Sequence, residues 1–265
     1  MDTLFAPESA VWRLHSDFSG LVGGLRALAV QSLEPRALAG VRQFSRFGKR
    51  PDERLRETID FIDTITYGDM EEVRSAIAVV RRLHEPVNGV DPASGLAFSA
   101  NDPFLLAWVH NAMVESICFA YERFHPGVDR ALYDRYVEEM TRFADLIGCD
   151  MAEVPDRYGD LSHWVWRQPS LVVNEATLEA FNVLERLRPE GFVGQVYPFV
   201  MRWLYASLPS WVALQLDRPV STVEESLVWV GLKMGGELSM SVTPPSPRRI
   251  RAQSRYAQEN ADATR

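Results

Sequence analysis

Apolar residues recur along this chain every three to four positions, and that period predicts helices over most of its length. Between Pro51 and Ile65, the positions Leu55, Thr58, Ile62 and Ile65 share one face. Pro51 suits a first helical position there, and Asp52 and Glu53 suit the positive end of the helix dipole. From Asp69 to His84 the inner stripe is Val73, Ile77, Val80 and His84, with acids at the start and Arg81, Arg82 and His84 at the end. Pro86 and Gly89 then stop the segment. Asp102 before Pro103 is a cap followed by a first-turn proline, and it predicts a helix reaching about His125. A further helix over 129–147 places Leu132, Tyr136, Met140 and Phe143 on one side. The same reading gives helices at 10–15, 20–44, 156–168, 175–187, 195–208 and 221–240. Alternating patterns are scarce, and Leu171-Val172-Val173 is the best strand candidate. The predicted fold is all-α, a single multi-helix domain over residues 1–242. A polar, basic tail over 243–265, opening Thr243-Pro244-Pro245-Ser246-Pro247, is expected to dock poorly. The stretch from Val87 to Ala100, rich in Gly, Pro, Asn and Asp, is expected to be a loop long enough to rim an active site.

Composition narrows the partners. The 265 residues carry 28 Lys+Arg against 36 Asp+Glu, a formal charge of -8. Such a chain has no electrostatic reason to bind nucleic acid and is repelled by an anionic membrane surface. The two cysteines, Cys118 and Cys149, are too few for a disulfide framework, and there is neither a CxxC pair nor a CxxCH haem-attachment site. The first residues lack the basic start and apolar core of a signal peptide. No uninterrupted apolar run reaches the roughly 18–20 residues of a membrane span. The most apolar stretch, Phe199 to Leu214, is broken by Arg202 and Pro209. A cytoplasmic location is expected. Ser19-Gly20-Leu21-Val22-Gly23-Gly24 is neither a dinucleotide cradle nor a P-loop, and no GxSxG elbow occurs.

Three features are candidates for chemistry. His84 shares the stripe of Val73, Ile77 and Val80, so its ring is expected to point inward. An imidazole in a dry helix interface must find a hydrogen bond or a metal. It is either a core histidine bonded to a backbone carbonyl or a ligand. His110 is flanked by Leu106, Met113 and Ile117 on the next helix, and the same two readings apply. Together the two histidines could share one metal or one haem, or divide the roles of ligand and supporting donor. Their spacing matches no HExxH, facial-triad or di-iron pattern. Arg54 and Thr58, four residues apart, continue the face of Phe61 and Ile65. The guanidinium there is either at the core, meeting a carboxylate or propionate, or in a surface ion pair. His15, His125 and His163 lie near the start, at a helix end and in a Trp-rich segment, and carry less weight.

The order of these residues resembles a known family. Gly23-Gly24-Leu25-Arg26-Ala27-Leu28 resembles a GG-x-R-A-L segment, and Ala39-Gly40-Val41 the A-G-V that follows. Pro51, Arg54, Leu55 and Thr58 match P-x-x-R-L-x-x-T, and His84, Val87 and Gly89 match H-x-x-V-x-G. Asp102-Pro103, Leu106 and Trp108-Val109-His110 match D-P-x-x-L-x-W-V-H. Taken in sequence these resemble the MpaB-type and latex clearing protein oxygenases, from about residue 15 to about residue 240. The resemblance implies a globin-like helical core holding non-covalent haem b, with His84 as proximal iron ligand. It also implies Arg54 and Thr58 on the distal side, as catalytic residues, and His110 near the haem without binding its iron. Dioxygen and an apolar, isoprenoid-like alkene are the implied reactants, and oxidoreductase the implied class. Arg54 could alternatively neutralise a haem propionate. Three positions depart from the family: Glu34 precedes Pro35 where many relatives have histidine, Glu57 stands where a latex clearing protein carries lysine, and the acid proposed there as base has no counterpart. A haem- or gas-binding sensor and a cofactor-free helical protein are the alternative readings.

Overall fold

The computed structural model describes residues 3–44, 51–188, 191–221, 223–224, 226–231, 233–234 and 245–263. It is all-α apart from one small hairpin. Helices α1 (Ala10–His15), α2 (Phe18–Gln31), α3 (Pro35–Phe44), α4 (Pro51–Tyr67) and α5 (Met70–His84) lead to the strands β1 (Asn88–Val90) and β2 (Ala97–Ser99). Helices α6 (Pro103–Phe124), α7 (Arg130–Ile147), α8 (Tyr158–Trp166), α9 (Glu175–Arg186), α10 (Gly191–Ala206) and α11 (Ser210–Gln215) follow, and α12 (Pro247–Ala263) is the last described helix.

The predicted starts hold in detail. Asp102 accepts from the Leu105 amide ahead of Pro103, and Asp69 and Glu72 form a reciprocal capping box on α5. At the centre of the fold lies α6, whose 22 residues are long and apolar enough to cross a bilayer by composition, although the run is interrupted by Asn111 and Glu115. In this structure 78% of its most apolar window is covered by protein, so it serves as the core helix. Its nearest neighbour is α2. A Cβ on Gly23 would stand 2.7 Å from the Ile117 Cα and 2.8 Å from the Ser116 carbonyl, so only glycine lets the two backbones come this close.

Four expectations need correction. The helix read over 20–44 is two helices, because Pro35 has no amide to donate and restricts Glu34 before it. The freed carbonyl of Gln31 accepts from the Trp108 indole at 3.2 Å. Leu171-Val172-Val173 is not a strand; the Val172 amide donates to the Leu33 carbonyl at 3.0 Å, one bond without a ladder. The loop from Val87 to Ala100 contains an antiparallel hairpin, with Asn88 opposite Ser99 and Gly89 opposite Phe98.

The polar tail is, from Pro247 to Ala263, a helix docked on α4. Arg248 donates to Asp60 and Asp63, both at 3.1 Å, and Arg255 to the Asp69 carboxylate and the Tyr67 carbonyl, both at 3.2 Å. Ala252 is fully covered, and the Tyr256 ring meets Trp12 edge-on at 6.3 Å. Arginines seven residues apart present one charged face, which a search for apolar periodicity passes over. The predicted helix over 221–240 and the prolines opening the tail lie partly outside the described residues.

Candidate cofactor site

Helices α4 and α5 form a hairpin closed at Gly68 and Asp69, and carry Arg54, Thr58 and His84 towards its open end. His84, in the last turn of α5, is half-buried rather than sealed in the core. Its Nδ1 is shut away from water and has no hydrogen-bond partner. Burial lowers its pKa below the ordinary 6.5; a backbone hydrogen bond at Ala100 acts the other way, and the positive charge of Arg54 lowers it further. The imidazole is therefore neutral at pH 7, as a metal ligand must be. Arg54 and His84, thirty residues apart in sequence, thus face one another electrostatically.

Arg54 is not at the core. Its side chain is 44% exposed and paired with Glu57 at 2.7 Å, the surface ion pair that the sequence left open. Thr58 is also exposed, and its hydroxyl donates to the Arg54 carbonyl at 2.8 Å. The face containing Phe61 and Ile65 becomes covered only from Phe61 onward, so extending it two turns back overstated the burial.

His110 is in the interior, 4% exposed, with its ring against Phe143 at 5.8 Å and its Nδ1 unpartnered. Burial pulls its pKa down to about 3. Phe143 in turn meets Phe61 of α4 at 6.0 Å, so His110 reaches the hairpin through two aromatic rings. Among the described residues no three His, Cys, Asp or Glu side chains gather around a possible metal. What the site offers is single neutral imidazoles.

The remaining sequence segments build the support. Gly40 of α3 faces the Val87 side chain at 3.4 Å and Phe98 at 3.6 Å, and Gly89 faces Phe98 at 3.3 Å. Ala39-Gly40-Val41 and Val87-x-Gly89 therefore meet, seating the hairpin under α3 and fixing the turn that leaves His84. Trp108 ties α6 to the end of α2, and the Gln31 amide returns to the Val109 carbonyl at 2.9 Å.

Two buried clusters escaped the sequence reading. Arg26 and Glu115, each 1% exposed, form an ion pair between α2 and α6. Arg26 also donates to Ser116 Oγ at 2.7 Å and to the Ser207 carbonyl at 3.4 Å, and lies 4.3 Å over the Phe119 ring. Glu115 accepts from the Trp166 indole at 3.2 Å. The signal was present: Arg26 lies four residues from both Val22 and Val30, and Glu115 is the sole acid between Pro103 and Tyr121. His15 is the second case, its Nδ1 2.8 Å from Thr66 Oγ1 and its Nε2 2.8 Å from the Tyr136 hydroxyl. Thr66 spends its hydrogen on the Ile62 carbonyl, so His15 Nδ1 donates and Nε2 accepts. Burial brings the His15 pKa down to about 4.

Residues 12–234 match the family described as ER-bound oxygenase mpaB/B'/Rubber oxygenase, catalytic domain. The chain belongs to this family of oxygenases. Among curated proteins and among solved structures, nothing matches it. The mpaB/rubber oxygenase match begins within α1 and ends before α12, so it contains every candidate residue and leaves out the helix pinned to α4.

Proposed function

We propose that this chain is a haem-b-dependent oxygenase acting with dioxygen on a small apolar, isoprenoid-like alkene. One observation carries the reading: in a chain of this family, His84 is a neutral imidazole with a buried, unpartnered nitrogen beside a free cationic side chain. A lone imidazole of this kind suits haem, which needs one protein nitrogen, better than a metal cage, which needs three or four ligands. His84 would hold the iron. Arg54, at the solvent rim, would meet a propionate, and such a group would compete with Glu57 for the guanidinium. Bound there, haem supplies the activation of dioxygen.

The chain's own residues bind, orient and exclude water. Thr58 has its hydrogen on the Arg54 carbonyl, so in this conformation its oxygen only accepts and Thr58 steadies the turn that presents Arg54. Ile59 and Leu83, exposed next to Thr58 and His84, supply apolar surface for a hydrocarbon that asks for no polar partner. His110, uncharged down to about pH 3, lies behind the hairpin and adds no charge to its floor.

The test is the absorption spectrum of the purified protein titrated with hemin, for the wild type and His84→Ala. A Soret band at one hemin per chain, displaced and weakened in the variant, is the expected result. Absence of hemin binding in the wild type overturns the reading and leaves His84 a half-buried structural histidine. Hemin binding without alkene-dependent oxygen uptake would make the chain a haem-binding protein that is not an oxygenase on such substrates.

A further inference from the structure

Two buried polar atoms flank the turn after α5 with no partners, and their chemistry is complementary. They are Nδ1 of His84 and Oδ1 of Asn101. The chain fixes them in the same corner. The Val87 amide donates to the His84 carbonyl at 2.9 Å, and the Ala100 amide donates to the Val87 carbonyl at 2.8 Å. Asn101, next in sequence, donates through Nδ2 to the Arg81 carbonyl at 3.0 Å, in the last turn of α5 that also carries His84. The backbone of Ala100 is itself hydrogen-bonded to the His84 ring.

The Arg81 bond settles how the Asn101 amide is oriented. Only the NH2 can donate to a carbonyl, so Nδ2 belongs on that side and Oδ1 is left as an acceptor on the other. A buried acceptor and a buried ring nitrogen, each otherwise unpaired, lower the free energy by pairing. For that pairing the ring nitrogen must bring the hydrogen.

We propose that Asn101 is a positioning residue for His84: its Oδ1 accepts the Nδ1 hydrogen, holds the imidazole in the Nδ1–H form and leaves the lone pair of Nε2 free for a metal. Small rotations about the side-chain torsions of the two residues make the bond. An imidazole whose second nitrogen donates in this way is fixed in orientation and is a more basic ligand. The tautomer part of the inference stands on the structure alone; the metal part rests on the haem reading.

The experiment separates the two. Nitrogen-15 histidine spectra of the full chain without hemin, at pH 7.5, read the tautomer of His84 in the wild type, Asn101→Leu and Asn101→Asp. The wild type is expected to be Nδ1–H. The leucine variant should move towards the Nε2–H form that free histidine prefers. The aspartate variant keeps an acceptor but loses the bond to Arg81, so it should retain Nδ1–H. If aspartate fails as leucine does, Asn101 acts only by bracing Arg81, and the proposal is overturned. It is also overturned if leucine leaves the tautomer unchanged. With hemin, Asn101→Leu should bind about 10–100-fold more weakly and Asn101→Asp should shift the haem reduction potential downward. A wild type that takes no hemin removes the haem reading while the tautomer result still decides the role of Asn101.

Discussion

The ion pair between Arg26 and Glu115 gives the sharpest test of how this fold is held. Replacing Arg26 with Met takes away the cation and leaves a carboxylate that is 1% exposed, with the Trp166 indole at 3.2 Å as its remaining described partner. It also strips Ser116 Oγ and the Ser207 carbonyl of the donor they share. An uncompensated buried charge of this kind costs about 3–5 kcal/mol. In a chain of this size each kcal/mol moves the melting temperature by about 2–4 °C, so a fall of roughly 6–20 °C is expected. Methionine keeps apolar contact with Phe119, so lost packing contributes little of this. The double variant Arg26→Met/Glu115→Leu removes both charges and should recover most of the loss. Urea unfolding followed by tryptophan fluorescence and far-ultraviolet circular dichroism measures all three proteins, and the cycle with Glu115→Leu isolates the pairwise energy. The reasoning fails if Arg26→Met costs under about 1 kcal/mol, the range of a surface pair. It fails equally if the double variant is no more stable than the single.

Further expectations follow from the same packing and charges. Gly23→Ala forces its new methyl against the α6 backbone and should cost about 1–3 kcal/mol, whereas Gly24→Ala, with nothing within 4 Å of the added carbon, should stabilise by up to about 1 kcal/mol; thermal melts of the pair compare them directly. His15 and His110 are held at about 4 and about 3 against 6.5 in the open chain, so below pH 6.5 the unfolded state takes up protons that the native state refuses. The stability this represents is whole above pH 6.5 and drains between 6.5 and about 4 for His15 and about 3 for His110. Urea midpoints at pH 7, 6 and 5 should therefore fall more steeply for the wild type than for His15→Gln, and parallel slopes would contradict the burial argument. Asp69→Ala loses the cap of α5 and the partner of Arg255 together, and should cost about 1–2 kcal/mol in a urea melt, while Asp69→Asn keeps the cap and should lose less.

Much of the helical frame was legible because caps and apolar stripes are local. Asp69, Asp102 with Pro103, and Asp129 each mark a start that depends on neighbours within four residues. The break at Ser32–Glu34 was missed although Pro35 announces it, because apolar residues continue through the gap at helical spacing. The hairpin was missed for a different reason. Its strands are three residues each and are stabilised by Phe98 packing on Gly40, a contact between segments far apart in sequence. At the candidate site, His84 could be picked out by its stripe, but its half-exposure could not, since that depends on where α4 ends its cover. Arg54 is the converse: pattern placed it inward, and Glu57 three residues on holds it at the surface. The pairing of Arg26 with Glu115 needs the register of α2 on α6, which no single helix specifies.

The close seat of α6 on α2 has a consequence for biosynthesis. As α6 leaves the ribosome it is a 22-residue stretch apolar enough to enter a lipid bilayer. Its docking face on α2, with Gly23 open and Arg26 waiting for Glu115, has already been made by then. The order of translation therefore completes the socket before the plug. A chain rearranged so that α6 emerges ahead of α2 would present a membrane-like segment with a carboxylate in its middle and no cation to meet it. Such a chain is expected to collect on membranes or in aggregates, even though every contact of the finished fold is still encoded.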